Sequence, residues 1–523
     1  MTRTQLGSPA LVRAERARSL RETLVWWAVP LALVAAVVPG MSLAPDMTVL
    51  AAGGVIALYV SFRWPFVIAL ATLIAVVGSS VLELLLGAAG GPIDEMLTAL
   101  CVVSFTIRRV WLDRAIVIMP GFAWFLGFLV VGAAASLLGD VPTAIWMQQA
   151  FLTLKGFLIA FAFAQLDWGR RSLAALATAG VVFAAFFTLT AALNLLATEA
   201  WVDFTKIRTP ATIFGIPALN GPYSHPAALG RITAIVAVGC LCYLLVVKGS
   251  RVIPGITMAA MTLVSVLTVR VKTLTSMIVV YSLFALRVRS PWLPLIVLAV
   301  APIAALTVLP AFIELVSTDL TAYFFDERDS ARSLLTAGAV EIAMRDFPLG
   351  AGFGRYGSYL AATEYSPEYV ARGWTRHYGL GEGERWGLYL TDTQWPAFLG
   401  ETGWLGTVLF AGGLVAMMIS MVRPIADLEP PLYRWIRWSG IGWLLLITIE
   451  SIAAPVFTSP PAYPFAFLGA GIVAALRYQA ARRGGVVPID EFLTTSGPSP
   501  LERRDAADPF DADARRRRAS DPA

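Results

Sequence analysis

Arg270 and Lys272 stand one residue apart in a short polar gap between two apolar runs, and Arg332 opens a helix-forming stretch further along. Arg208, with Lys206, lies in another polar interval rich in Gly and Pro. Cations of this kind can hold an anion: guanidinium offers a planar fork of donors matched to phosphate oxygens, and an ammonium adds a point charge. Arg332 would fall in the first turn of its helix, where backbone N–H groups also favour phosphate. The bland alternatives are snorkelling side chains at a helix end for Arg270 and Lys272, and an ion pair with Asp326 or Asp329 for Arg332. His225 and His377 are the only histidines, and neither has Cys-pair or HExxH spacing, so zinc chemistry has no ligand set. Cys101, Cys240 and Cys242 fall inside apolar runs and read as small buried hydrophobes, not as a disulfide framework or metal site.

The elements that must position these residues follow from composition. Of the 523 residues 57% are hydrophobic and only 14% charged, with mean hydropathy +0.71; soluble domains carry about 25% charged residues. The apolar runs are roughly 16 to 27 residues long, enough to cross about 30 Å of hydrocarbon as helices and unlike the short alternating strands of a barrel. Composition therefore predicts an all-α polytopic membrane protein, with segments near 24–43, 47–62, 65–87, 95–107, 115–138, 143–166, 172–197, 227–247, 252–269, 273–286, 292–316, 395–421, 435–456 and 461–477. That is about 12 to 14 crossings. Short cytoplasmic loops collect Lys and Arg. Placing the basic N-terminus inside puts Arg63, Arg108, Arg109, Arg114, Arg170, Arg171, Lys248, Arg251, Arg423, Arg434 and Arg437 on the same side. Both termini are then cytoplasmic, and Arg270 and Lys272 occupy an outer loop against the bias.

This topology divides the chain into a basic cytoplasmic N-terminus (1–23), a first transmembrane helical part (24–316), a large extracytoplasmic loop (317–394), a last transmembrane part (395–477) and a tail (478–523). The tail is rich in charge and poor in apolar residues, which predicts disorder. The large loop holds 13 aromatics, 11 acids and 7 arginines, and loops of such length are seldom passive connectors. Asp329 or Ser330 can cap a surface helix running through Arg332, Leu335, Val340, Ile342 and Met344. The following Pro348-Leu349-Gly350-Ala351-Gly352-Phe353-Gly354 has no preceding strand and reads as a tight turn needing positive φ, not a dinucleotide fingerprint. Tyr356, Tyr359, Tyr365, Tyr369, Trp374, Tyr378, Trp386 and Tyr389 either stack on sugar faces or build the loop's own small core.

The order of a basic residue in a short outer loop, an Arg-bearing helix, Pro-Leu-Gly-x-Gly-x-Gly, and then Glu401-Thr402-Gly403-x-x-Gly406 resembles the O-antigen ligase and polymerase superfamily of bacterial glycosyltransferases. Phe214-Gly215 through Asn220-Gly221-Pro222 adds to it, and the likeness covers mainly residues 205 to 410. It implies transfer of a glycan from undecaprenyl pyrophosphate to an acceptor glycan hydroxyl at the outer face of the bacterial plasma (inner) membrane, with no cofactor, metal or nucleotide sugar. It also implies pyrophosphate binding by Arg270 or Lys272, by Arg332 and by Arg208. Where the family pattern has His-Asn this chain has Asp392-Thr393, which favours polymerisation over ligation and makes Asp392 the base, with His377 as the alternative base. Glu401 reads as a structural acid.

The competing class is a secondary transporter or flippase for a lipid-linked oligosaccharide. Such proteins use ionisable groups inside spans; Lys155 and Glu450 are the mid-span candidates, and a contact between them would keep the transport reading open, the alternative being a structural bridge between helices. A non-catalytic subunit of an envelope assembly is the third reading. A chain-length-control or export partner fits the polymerase reading, and no nucleic-acid motif is present.

Overall fold

The computed structural model describes residues 45–205, 212–213, 216–286, 331–383 and 385–483. The expected crossings at 24–43 and 292–316, the start of the large loop, the tail beyond 483, and both Lys206 and Arg208 lie outside the described residues.

The chain is an all-α polytopic membrane protein. Its helices in the first half are α1 (Pro45–Arg63), α2 (Pro65–Val77), α3 (Ser79–Leu86), α4 (Ile93–Asp113), α5 (Phe122–Leu138), α6 (Thr143–Ala164), α7 (Arg170–Leu196) and α8 (Thr198–Thr205). A two-residue antiparallel pair, β1 (Thr212–Ile213) with β2 (Ile216–Pro217), precedes α9 (Pro226–Val246), α10 (Val252–Leu267) and α11 (Val271–Ala285). The large loop contributes α12 (Ala331–Arg345), α13 (Tyr359–Thr363) and α14 (Pro367–Ala371), and the chain returns through α15 (Trp395–Val422), α16 (Pro431–Glu450) and α17 (Phe465–Arg482).

Among the described residues α6, α7, α9 and α15 are long and apolar enough to cross a membrane. The bent pair α1 and α2, meeting at 111°, makes a fifth if it is one span. Helices α5, α10 and α11 are apolar but shorter, and α4, α16 and α17 span 21, 20 and 18 residues with charges along them. Each expected apolar segment within the described residues falls on a helix, with three differences. The 65–87 segment breaks at Gly78 into α2 and α3. Residues before α5 are irregular because Pro120 and Gly121, at φ 82°, turn the chain. Residues 451–464 form turns around Pro455, Pro460, Pro461 and Pro464, whose missing N–H groups cannot support a helix.

Helix α9 packs between α10 and α16, α16 against α17, α17 against α6, and both α5 and α12 against α15. Phe125, Phe128, Phe157, Phe398, Phe410 and Phe467 fill the centre, mostly edge to face. Between α16 and α17 the backbones nearly touch: a Cβ on Gly440 would sit 2.8 Å from the Gly469 Cα. Close small-residue contacts of this kind add dispersion contact where lipid gives helices no hydrophobic reason to associate.

Charges gather at the two ends of the bundle. At the end formed by the last turns of α4 and α17, Arg109 pairs with Asp113 at 2.6 Å and Asp167 at 3.0 Å, and Arg482 meets Asp113 at 2.8 Å. There too Arg437 pairs with Glu429 at 2.7 Å. The opposite end, where α9, α11 and α15 begin and α16 finishes, holds Arg270, Lys272 and Asp392.

Candidate functional site

Arg332, in the first turn of α12, and Asp392, three residues before α15, close on one another. The Arg332 Nε donates to Asp392 Oδ2 at 2.8 Å, and Nη2 makes a second contact with the same oxygen. Both side chains are 27% exposed, so the pair is neither sealed nor fully solvated. Tyr389 lies under the guanidinium, 5.7 Å from its ring centre. Because both contacts fall on Oδ2, the second carboxylate oxygen, Oδ1, is the one left to accept from another partner. The ion-pair alternatives Asp326 and Asp329 lie outside the described residues.

Arg270 occupies the N-cap position of α11, and Lys272 follows in its first turn. The Lys272 ammonium donates to the Ala453 carbonyl at 2.5 Å, and the charges of Asp392, Arg332, Glu450 and Arg231 all act on it. The segment just past α16 therefore serves as the hub. Glu450 Oε1 takes Arg231 Nε at 2.9 Å and the Thr273 hydroxyl at 3.2 Å, Ser451 Oγ takes the Trp395 indole N–H at 3.0 Å, and Ala453 takes Lys272. Four helices, α9, α11, α15 and α16, are fixed to one another at this point.

His225 is the N-cap of α9, its Nδ1 accepting from the Ala227 N–H at 3.2 Å. Withdrawal of water by the surrounding protein, then the charge of Arg270, push its imidazole down from 6.5 to about 4; Asp392 opposes this, while Arg231 and Lys272 add to it. At neutral pH the ring is uncharged and carries its proton on Nε2, so it acts as a hydrogen-bond donor.

The structure thus brings Arg270, Lys272, Arg332 and Asp392 into one electrostatic neighbourhood. Arg208 lies outside the described residues. His377 is placed differently: its Nδ1 meets the adjacent Tyr378 carbonyl at 3.0 Å, and it is not among the groups whose charge acts on His225 or Lys272. His225, weighed above only as a metal ligand, and Arg231 were not among the expected site residues. His225 was signalled by the Ser-His-Pro entry into an apolar helix, and Arg231 by being a cation inside an apolar run. Lys155 and Glu450 do not pair with one another: Lys155 meets Asp94 at 3.0 Å and Glu95 at 3.4 Å, while Glu450 meets Arg231. The contact that would keep the transport reading open is replaced by two separate buried pairs.

Behind the site the two glycine-bearing motifs bind one another. Glu401 is buried, and its Oε1 accepts from the Gly354 N–H at 2.7 Å and the Tyr356 N–H at 3.4 Å. The Ala351 and Gly352 N–H groups donate to the Gly400 and Glu401 carbonyls at 2.8 and 2.9 Å. This holds the 348–354 turn against a kink at Gly403, whose φ of 66° lies inside α15. The loop aromatics divide. Tyr356, Tyr365, Tyr369 and Trp374 are buried with Leu335, Ala339 and Ile342 in a core of the loop's own, whereas Tyr359, Tyr378 and Trp386 are exposed.

Groups able to hold a metal, meaning three or more His, Cys, Asp or Glu together, do not occur among the described residues. No protein-family model matches the sequence, and no curated protein matches it.

Proposed function

We propose that this protein is a membrane glycosyltransferase that polymerises, or ligates, cell-surface polysaccharide repeats from a polyprenyl-pyrophosphate-linked donor at the outer face of the plasma membrane. The observation that carries the reading is the Arg332–Asp392 pair, with Lys272 in the field of both and Arg270 sharing with Asp392 the field at His225, because the reaction needs fixed cations and one base in the same place. Breaking the sugar C1–O bond leaves a diphosphate, which Arg270, Lys272 and Arg332 would stabilise as its charge develops. The attacking acceptor oxygen forms the new bond to C1 and gives its proton to Asp392 Oδ1, so a single displacement inverts the anomeric carbon. Arg332 bridges the two roles: its fork has five N–H donors, and two of them already orient Asp392. Neutral His225 adds an N–H donor at the same boundary.

The test is purified protein in nanodiscs supplied with lipid-linked glycan extracted from the producing cells. Wild type should release polyprenyl pyrophosphate together with lengthened glycan, and Arg270→Ala, Arg332→Ala and Asp392→Ala should each lower the rate by about 100-fold or more. Unchanged turnover in all three sinks the reading.

A further inference from the structure

A polar cavity of about 480 Å³ lies beside the site, bounded by Thr391 and Thr393 on either side of Asp392 in the chain. None of Arg270, Lys272 or Arg332 lines it, and Asp392 itself stands at its edge, between two residues that do. Its charge is instead of the opposite sign: Glu83, Asp94 and Glu95 face the single cation Lys155. Lys155 is engaged with Asp94 at 3.0 Å, and Asp94 also accepts from the Tyr463 hydroxyl at 3.0 Å. Thr393, only 7% exposed, lines the cavity, and its hydroxyl has no hydrogen-bond partner among the described residues. A buried hydroxyl left unsatisfied is destabilising, and a hydroxyl-bearing ligand would supply the missing partner. At the rim stands Tyr359, 60% exposed, an aromatic face suited to the apolar side of a sugar ring.

We infer that this cavity is the acceptor subsite, taking a neutral or amino-bearing sugar from which one hydroxyl reaches Asp392 at the cavity's edge. The inference rests on the glycosyltransferase reading and adds to it a sorting by charge. The diphosphate is drawn to the cations on one side of Asp392, while the excess of carboxylates in the cavity rejects diphosphates and uronic acids and accepts uncharged hydroxyls or an ammonium. Thr393 supplies a hydrogen bond, Tyr359 a stacking face, and Glu95, its side chain 33% exposed, the charge that discriminates.

The experiment uses the full chain in nanodiscs, with oligosaccharides released by mild acid from the producing cells' surface polysaccharide as the binding probe. Lipid-linked glycan from the same cells is the substrate for turnover, and trigalacturonate serves as an acidic competitor. Wild type should bind the released oligosaccharide saturably and ignore trigalacturonate. Thr393→Val and Tyr359→Ala should each weaken binding and raise the acceptor KM about tenfold with kcat at saturation little changed, and Glu95→Gln should admit trigalacturonate. Tyr359 is exposed, so its variant keeps the test informative if Thr393→Val misfolds. If wild type turns over substrate but these variants leave acceptor KM and binding unmoved, the subsite is wrong and the transferase reading stands. Absence of turnover with oligosaccharide binding intact and sensitive to Thr393→Val reverses that outcome, and loss of both overturns both.

Discussion

His225 shows how the site's residues control one another. The imidazole sits among three cations and one carboxylate, and its folded pKa of about 4 lies below the 6.5 of an unperturbed ring. Between those values the unfolded chain binds more protons than the folded one, so this residue's contribution to stability is complete above about 6.5 and is lost as pH falls towards 4. With two histidines in the chain, a His377→Gln variant leaves a single imidazole for NMR titration. The expected result is a ring neutral down to about pH 4, moving upward in Arg270→Ala and further down in Asp392→Asn. A midpoint near 6.5, indifferent to both substitutions, would show that these charges do not converge on it. At this scale the sequence was partly legible. Arg270 and Lys272 were visible as cations in an outer loop that disfavours them, and Arg332 as a cation in the first turn of a helix. Arg231 was visible as a cation inside an apolar run, but its role was not, because it depends on Glu450, 219 residues away, and a partner that distant leaves no local pattern.

Among the elements, the start of α15 and the 348–354 turn have to be considered together. The turn's glycines and the Glu-Thr-Gly run were legible as motifs, and the need for positive φ was legible with them, as Gly352 at 97° and Gly354 at 78° bear out. That the two motifs grip each other was not, since backbone hydrogen bonds between them are a product of the fold. Glu401 reads as a structural acid in consequence: it receives amides that would otherwise be buried without acceptors. Glu401→Ala should therefore cost about 1 to 3 kcal/mol for each amide it strands. Gly403→Ala should cost more, because a Cβ there would overlap the Leu349 carbonyl oxygen and a non-glycine residue at positive φ adds about 1 to 2 kcal/mol of its own. Thermal unfolding in detergent is the measurement. Gly403→Ala should lower the midpoint more than Glu401→Ala, and a Gly403→Ala protein as stable as wild type would mean that the kink is not required.

For the whole molecule, helix positions were read well from sequence because apolar length is a local property, whereas the buried ion pairs that tie the helices together are not. The distribution of charge between the two ends makes the topology testable. One end carries Arg109, Arg437 and Arg482 in ion-paired networks, with Lys248 and Ser250 exposed between α9 and α10. The other carries the Arg332–Asp392 pair and, on the same loop, the exposed Tyr378. Since basic loops stay in the cytoplasm, the first end should face inward and the site outward, which the proposed chemistry also demands: a glycan donor already carried across the membrane is met only there. The check is to replace Cys101, Cys240 and Cys242 and introduce single cysteines at Tyr378 and Ser250. In intact spheroplasts a membrane-impermeant maleimide should label Tyr378→Cys and spare Ser250→Cys until the cells are permeabilised. Labelling in the reverse pattern would put the cations and Asp392 in the cytoplasm, where a reaction at the outer face cannot use them.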